Sequence, residues 1–419
     1  MEKAKSADDL KLLSSINMVY LARQPIFDRQ QKVVGYELLF RTGFNNFCGA
    51  LCDEDRASSK TMLNGFITFG LDLLTGGKPA FINFTANLIL DEAAIIFPRE
   101  LITIEILENV APSVDIIEAC KKMKKHGYVI ALDDFEYAPE LQPLVDLADI
   151  IKVDFRLTDK AARKRLMTKI ENGHLKFLAE KVETQEEYAE ALEMGFSYFQ
   201  GYFFSRPKIM QRQEIPGYKM NYLQALNEIN TPDADFELLE HIVKRDMSMT
   251  YKLLRFINSA AFGFHVKIQS IRQALTLLGL TEFKKWASLV ALSGLGEDKP
   301  EELLLNSMLR AKFCEFLASK VDMKDSTPDL FLLGMFSNID AFIDRPIEEI
   351  SEELPLSDDF RRALRGEKSR FRNVLDMVIA YERADWDEWS RLLNYFKISG
   401  EDFPEIYVRS VDWVNKIFK

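Results

Sequence analysis

Between residues 18 and 205, short apolar runs alternate with helix-forming segments, and this alternation constrains the fold more than any other property of the chain. The runs read VVGYELLF (33–40), PAFINFT (79–85), LITIEILE (101–108), YVIALDDF (128–135), IIKVDF (150–155), KFLAEKV (176–182) and YFQGYFF (198–204). Runs this dense in β-branched and aromatic residues suit strands buried on both faces. The segments between them carry helix punctuation: Thr184 and Glu187 form a T-x-x-E capping pair that Gly195 closes, and Thr158 precedes AARKRLMTKIEN, which Gly173 closes. Seven strand candidates separated by helices predict a closed, TIM-like (β/α) barrel, with a doubly wound open sheet as the alternative.

Beyond Ser205 the texture changes. The Pro- and Gly-punctuated stretch RPKIMQRQEIPGYKM (206–220) follows, after which strand-like runs nearly vanish. DFELLEHIVKRDMSMTYKLLRFIN (235–258) and SIRQALTLLGL (270–280) place apolar residues three and four apart, as on a helix face. The expected organisation is an α/β barrel over 18–206, a linker over 207–218 and an all-α domain over 219–419. With 47% hydrophobic and 28% charged residues, the chain lies far from disordered compositions. A formal net charge of −11 supplies no general cationic field, so binding to nucleic acid or anionic lipid is not expected.

The start MEKAKSADDLKLLSS lacks an apolar run of signal-peptide length, and no run of about 18 uncharged apolar residues occurs, so the expected location is the cytoplasm, with no membrane span. Cys48, Cys52, Cys120 and Cys314 are too scattered for a disulfide framework or a zinc site and are read as reduced structural thiols. The alternating charge blocks between Asp344 and Arg372 are read as solvated faces, as are Lys244, Arg245, Lys252 and Arg255.

The chemistry gathers on the strand candidates. Glu37, Asn83, Glu105, Asp133, Asp134 and Glu180, with Gln200 on the last run, are all oxygen-bearing groups at or near strand ends. In a (β/α) barrel those ends face one mouth, so residues distant in sequence converge there. So many carboxylates in one place raise one another's pKa unless cations stand among them, and an all-oxygen set suits Mg²⁺ or Mn²⁺ rather than zinc. Two such ions about 3.5–4 Å apart clamp a phosphodiester. Lys152 adds a buried cation that can steer water or neutralise charge on phosphorus. The competing explanation, that each carboxylate merely caps the following helix, fits any one of them better than all of them together.

The ordered series RQPIFD, YELLFR, INFTANL, EILE, LDDF, IKVD, AEKVET and FQGYFFSRP resembles the EAL domain of cyclic di-GMP phosphodiesterases, over roughly Val19 to Pro207. That resemblance implies a two-metal site in which Glu37, Asn83, Glu105 and Asp133 hold one ion while Asp133, Asp134 and Glu180 serve the second ion and water handling. It also implies that Lys152, Glu180 and Glu37 are catalytic, that Gln24, Arg41 and Gln200 line the dinucleotide site, and that Glu108 braces the loop after the paired aspartates. The domain would pair into a homodimer. Three positions depart from the family pattern: Glu136 follows DDF where a glycine-containing loop is usual, Lys181 replaces the glycine of A-E-G-V-E, and Leu38 replaces the alanine of E-A-L.

From about Pro216 to Lys419 the chain resembles an HDOD domain, a helical relative of HD-type metal phosphohydrolases, most clearly in LLRFINSAAFGFHVKIQSIRQALTLLGL. Asn258 and Ser259 suit a helix end there, and Gly263 suits the turn. HD enzymes need a His-Asp dipeptide, yet His126, His174, His241 and His265 all precede other residues. This half is therefore expected to dock a signalling partner rather than to hydrolyse. The expectation for the whole is a bacterial cyclic di-GMP signalling protein, with control of motility or biofilm as its setting, whose barrel linearises the nucleotide to pGpG with Mg²⁺ or Mn²⁺. The alternative is an inactive EAL/HDOD protein serving as nucleotide sensor or scaffold.

Overall fold

The computed structural model describes residues 19–42, 70–170, 173–206, 217–258 and 267–418, with the side chains of Val19, Arg41, Thr42, Gly217, Phe256 and Phe418 set aside. Two compact units divide the chain, one made mainly of the residues up to Phe203 and the other mainly of those from Phe204 onward.

The first unit is a closed eight-stranded barrel in sequential order. Its strands are β1 (Val19–Phe27), β2 (Val33–Thr42), β3 (Ala80–Phe84), β4 (Ile102–Ile106), β5 (Val129–Leu132), β6 (Ile150–Asp154), β7 (Lys176–Glu180) and β8 (Tyr198–Gln200). The barrel reading therefore holds and the open sheet does not. One strand lay outside the seven runs. β1, VYLARQPIF, is interrupted by Arg23, Gln24 and Pro25, and proline is poorly tolerated in a strand paired on both sides. The barrel accommodates it because β1 pairs with β8 only at Ile26 and Phe27, just past Pro25.

β1 runs antiparallel to both neighbours, whereas β2 through β8 are parallel. The reversal is made in five residues. Asp28 Oδ1 accepts from the backbone amides of Gln30 and Lys32, each at 2.9 Å, and Gln31 takes φ 58°.

Period-two alternation sets the interior in layers. Ile26, Phe81, Ala131, Ile150 and Leu178 form one buried apolar cluster. Two residues further along the parallel strands stand Asn83, Asp133, Lys152 and Glu180, so the polar layer lies directly above the apolar one. The helix Gln185–Met194 has the full capping box between Thr184 and Glu187 and ends at Gly195 in the left-handed conformation, as the sequence indicated. The preceding helix differs: it spans Lys160–Lys169, its cap is Asp159, which accepts from Ala162 N at 2.7 Å, and it ends before Gly173. Asp159 wins over Thr158 because Thr158 Oγ1 is spent on the carbonyl of Asp154.

The second unit contains no strand among the described residues. The stretch 235–258 forms two helices, Phe236–Arg245 and Met247–Ile257. Asp246 divides them: its Oδ1 accepts from Ser248 N at 2.8 Å and Met249 N at 3.1 Å, an N-cap that starts a new helix. Asn258 closes the second helix, donating to the carbonyls of Leu254 (2.7 Å) and Ile268 (2.9 Å) and accepting from Ile268 N (2.8 Å). Within Ile271–Leu295, Gly279 takes φ 75° and kinks the rod.

A buried polar knot holds the centre of this unit: Arg310 donates to Glu382 at 2.8 Å and to Asn338 at 2.9 Å, and Asn338 donates to Asn306 at 2.9 Å and Ser307 at 3.2 Å. Gly334 lies so near the backbone of Arg310 that a Cβ there would sit 2.5 Å from its carbonyl carbon and oxygen. Lys244, Lys252 and Arg245 pair with Glu240, Glu297 and Glu228, which agrees with a solvated face.

His126, His174 and His241 are exposed, and Cys120 and Cys314 are buried free thiols. Cys48, Cys52, Ser259, Gly263 and His265, with most of the expected linker, lie outside the described residues.

Candidate active site

The polar layer of the barrel is organised around one ammonium. Lys152, fully buried on β6, places Nζ 2.7 Å from Asp133, 2.8 Å from Glu105, 2.9 Å from Glu180 and 3.6 Å from Glu37. Four strands therefore aim carboxylates or their flanking residues at the centre of the mouth, and β6 answers with the cation. Asn83 of β3 donates to Glu37 at 3.5 Å. Gln200, at the end of β8, donates to Glu37 at 2.5 Å and to Gln24 of β1 at 3.0 Å. The register of β1 and β2 sets Gln24 directly opposite Glu37.

Asp133 and Asp134 follow β5. Asp133 N bonds to Ile106 O at 2.9 Å and Phe135 N to Lys152 O at 3.1 Å, so the chain is pinned to both neighbouring strands. Between these anchors Asp134 takes φ 38°, which turns its side chain toward the cluster. Carboxyl oxygens of Asp133, Asp134 and Glu180 lie within 4.8 Å of one another.

Electrostatics follow from this crowding. Burial, together with the charges of Glu37 and Asp133, pushes the Glu105 carboxyl well above its ordinary range despite Lys152. Burial likewise raises Glu180, to about 8. Asp134 is also raised, by burial first and by Asp133 second. Desolvation works against the charged form of Lys152, but the surrounding carboxylates outweigh it and hold its pKa well above that of a free lysine.

Five carboxylates, those of Glu37, Glu105, Asp133, Asp134 and Glu180, gather about one buried ammonium; ionised together they would carry four negative charges more than Lys152 balances, the charge of two divalent cations, and without such ions burial and crowding favour protonation of Glu105 and Glu180. Among the described residues, Asn83 Oδ1, Glu105 Oε2, Asp134 Oδ1, Glu180 Oε2 and Gln200 Oε1 are buried without a hydrogen-bond partner. Buried acceptors in this state are rare unless a cation or donor completes them. All are hard oxygens, so the residues fit a hard divalent cation.

The structure thus brings together Gln24, Glu37, Asn83, Glu105, Asp133, Asp134, Lys152, Glu180 and Gln200. Glu108 is exposed past the end of β4, and its side chain makes no hydrogen bond or ion pair among the described residues. The backbone of Arg41 pairs with Tyr20, while its side chain lies outside the described residues.

Two residues enter that sequence reasoning did not assign a role. Asp154, the last residue of β6, is buried and accepts from the backbone amides of Arg156 at 2.6 Å and Leu157 at 3.1 Å. Lys181, next to Glu180, hydrogen-bonds Asp154 and stands 3.9 Å from Asp134. Burial pushes Asp154 up, but its bonds to Lys181 and the two amides prevail and hold it below the usual carboxylate range. The signal for Asp154 was its place two residues after Lys152 on the same strand.

The EAL domain profile matches residues 66–207 and the HDOD domain profile residues 215–345. The uncharacterised protein YuxH of Bacillus subtilis is 38% identical over 95% of this chain and 98% of its own. The cyclic di-GMP phosphodiesterase CdgJ of Vibrio cholerae is 37% identical over 95% of this chain and 93% of its own. Among solved structures, the EAL-domain protein YkuI of Bacillus subtilis, in complex with c-di-GMP and calcium, is similar with a TM-score of 0.37 and 20% identity, covering 56% of this chain and 73% of that one. With both domains matched in order and the likeness running nearly end to end, the chain belongs to the family of EAL/HDOD two-domain proteins that includes YuxH and CdgJ.

Proposed function

We propose that the barrel hydrolyses cyclic di-GMP to linear pGpG with two divalent cations, Mg²⁺ or Mn²⁺. The observation that carries this reading is the set of five carboxylates gathered in one buried polar layer with Lys152, more acid than one ammonium can balance once they ionise. Glu37, Asn83, Glu105 and Asp133 would hold one ion, and Asp133, Asp134 and Glu180 the other. When bound, the ions polarise the phosphodiester and lower the pKa of water.

This chain's residues would do the rest. Gln24 and Gln200, joined across the β1–β8 seam, orient the dinucleotide, with Arg41 as a further contact. Lys152 Nζ offsets negative charge as it builds on phosphorus. Glu180 would take a proton from the attacking water; the new P–O bond forms as the bond to the 3′ oxygen breaks, and that oxygen takes a proton from solvent and leaves as a hydroxyl. Glu37 holds Gln200 and Asn83 in place throughout.

The helical unit serves as a non-catalytic docking module for a signalling partner, a reading supported by the absence of any His-Asp dipeptide in the chain. Pairing of two barrels and residence in the cytoplasm belong to the same proposal. No helix among the described residues is long and apolar enough to cross a membrane.

The test is a product assay. Purified protein with cyclic di-GMP and Mn²⁺ should yield pGpG, and Glu37→Ala should lower the rate at least about a hundredfold, the scale expected when a ligand of an ion that stabilises the transition state is lost. Binding without product would support a sensor instead, and neither binding nor product would support a scaffold.

A further inference from the structure

The side chain of Lys181 sits where the family pattern has only a glycine hydrogen, and its placement is anything but loose. Its backbone takes φ 54°, in the left-handed region that glycine favours, so a lysine is held there against a local preference. Its ammonium bonds to Asp154 Oδ2 and lies 3.9 Å from Asp134 Oδ2. Asp154 is itself immobile: 4% exposed on its side chain, it is fixed at the end of β6 by the amides of Arg156 and Leu157. A buried, doubly anchored carboxylate thus holds a positive charge against the outer side of the group formed by Asp133, Asp134 and Glu180.

We propose that Lys181 is a built-in competitor for the second divalent cation, an ammonium that must be displaced or repelled before an ion can be shared by Asp133, Asp134 and Glu180. The inference rests on reading those three carboxylates as an ion site. A divalent ion shared by these carboxylates is repelled by the half-exposed ammonium; Asp154 offsets part of that repulsion, and after solvent screening the remainder weakens binding by up to about tenfold. The set around Glu37, Asn83 and Glu105 lies on other strands and makes no contact with Lys181, so its ion is little affected. Lys181 would thereby make the chain sense divalent-ion supply: one ion held readily, the second only at higher concentration.

The experiment is calorimetric titration of the full chain with Mn²⁺ alone, without nucleotide, comparing the parent protein with Lys181→Gly and Asp133→Asn. Glycine relieves the backbone at this position, and where the unpaired Asp154 impairs folding, Lys181→Gly with Asp154→Asn restores a neutral pair. The expected result is two binding steps in which Lys181→Gly tightens the weaker one by up to about tenfold and leaves the stronger one unchanged. Equal weak-step affinities in the parent and glycine proteins, with Asp133→Asn abolishing binding, would overturn the role of Lys181 alone. No Mn²⁺ binding by any of the three would overturn the ion site as well.

Discussion

Replacing Lys152 by methionine removes the charge and keeps the length of the side chain, and the structure sets the size of the consequence. Three carboxylate oxygens stand 2.7–2.9 Å from Nζ. With an effective dielectric of about 20, each such contact amounts to about 6 kcal/mol of gross attraction, most of it offset by desolvation of the ions. Removing one partner of a buried cluster leaves the others uncompensated, a loss of about 3–5 kcal/mol.

The loss depends on pH in a definite direction. Glu180 and Glu105 have folded pKa values above those of the unfolded chain, Glu180 at about 8 even beside the ammonium. Stability from such groups is complete below the unfolded value, about 4.3, and disappears as pH rises through the folded one. Without Lys152 both carboxyls rise further. Lys152→Met should therefore be tolerated near pH 5 and severely destabilised at pH 8, and millimolar Mn²⁺ should restore much of the loss by supplying the missing positive charge.

Tryptophan fluorescence cannot read this, because Trp286, Trp386, Trp389 and Trp413 all lie in the second unit. Hydrogen exchange of peptides covering β4 and β6 reports the barrel, and the tryptophans serve as the internal control. A deficit that is the same at pH 5 and pH 8, or one that Mn²⁺ leaves untouched, would refute the charge argument.

Two further outcomes concern the helical unit, besides those given for Glu37 and Lys181. Burial raises the Asp340 carboxyl to about 6, so its ionised form is disfavoured in the fold and stability drains away as pH climbs from about 4 to 6; Asp340→Asn should stabilise the unit by up to about 2 kcal/mol at pH 7.5 and by little at pH 4, and a pH-independent difference in urea midpoints would contradict this. Gly334→Ala places a methyl against the backbone of Arg310 and should cost about 2 kcal/mol or more through separation of the helices Glu301–Leu317 and Thr327–Phe336, with unchanged tryptophan-monitored stability as the contrary result.

The barrel and most of its mouth were legible because both rest on short-range rules. Continuous apolar runs announce strands buried on both faces, and parallel strands bring their ends to one mouth whatever the helices between them do. Glu37, Asn83, Glu105, Asp133, Lys152 and Glu180 could thus be gathered before any distance was known. What escaped depended on partners far away in sequence. β1 was hidden by Pro25, whose tolerance is decided by how little of β8 pairs beside it. Asp154 had no role assigned because the residue that uses it, Lys181, lies 27 residues on. The helix-face pattern over 235–258 shows no break, whereas Asp246 divides it by accepting the first amides of the second helix.

The short last strand has a bearing on how the protein is made. Gln200 meets partners 163 and 176 residues earlier in the chain, and the ring closes through two residue pairs on β8. A ribosome delivers Glu37 early and Gln200 last of the site residues, so the nascent barrel gathers its acids over 163 residues of synthesis with no finished cage around them. Closing so long a loop is entropically slow, and any fragment cut short of residue 200 would leave the earlier strands unsealed and their acidic interior open to water.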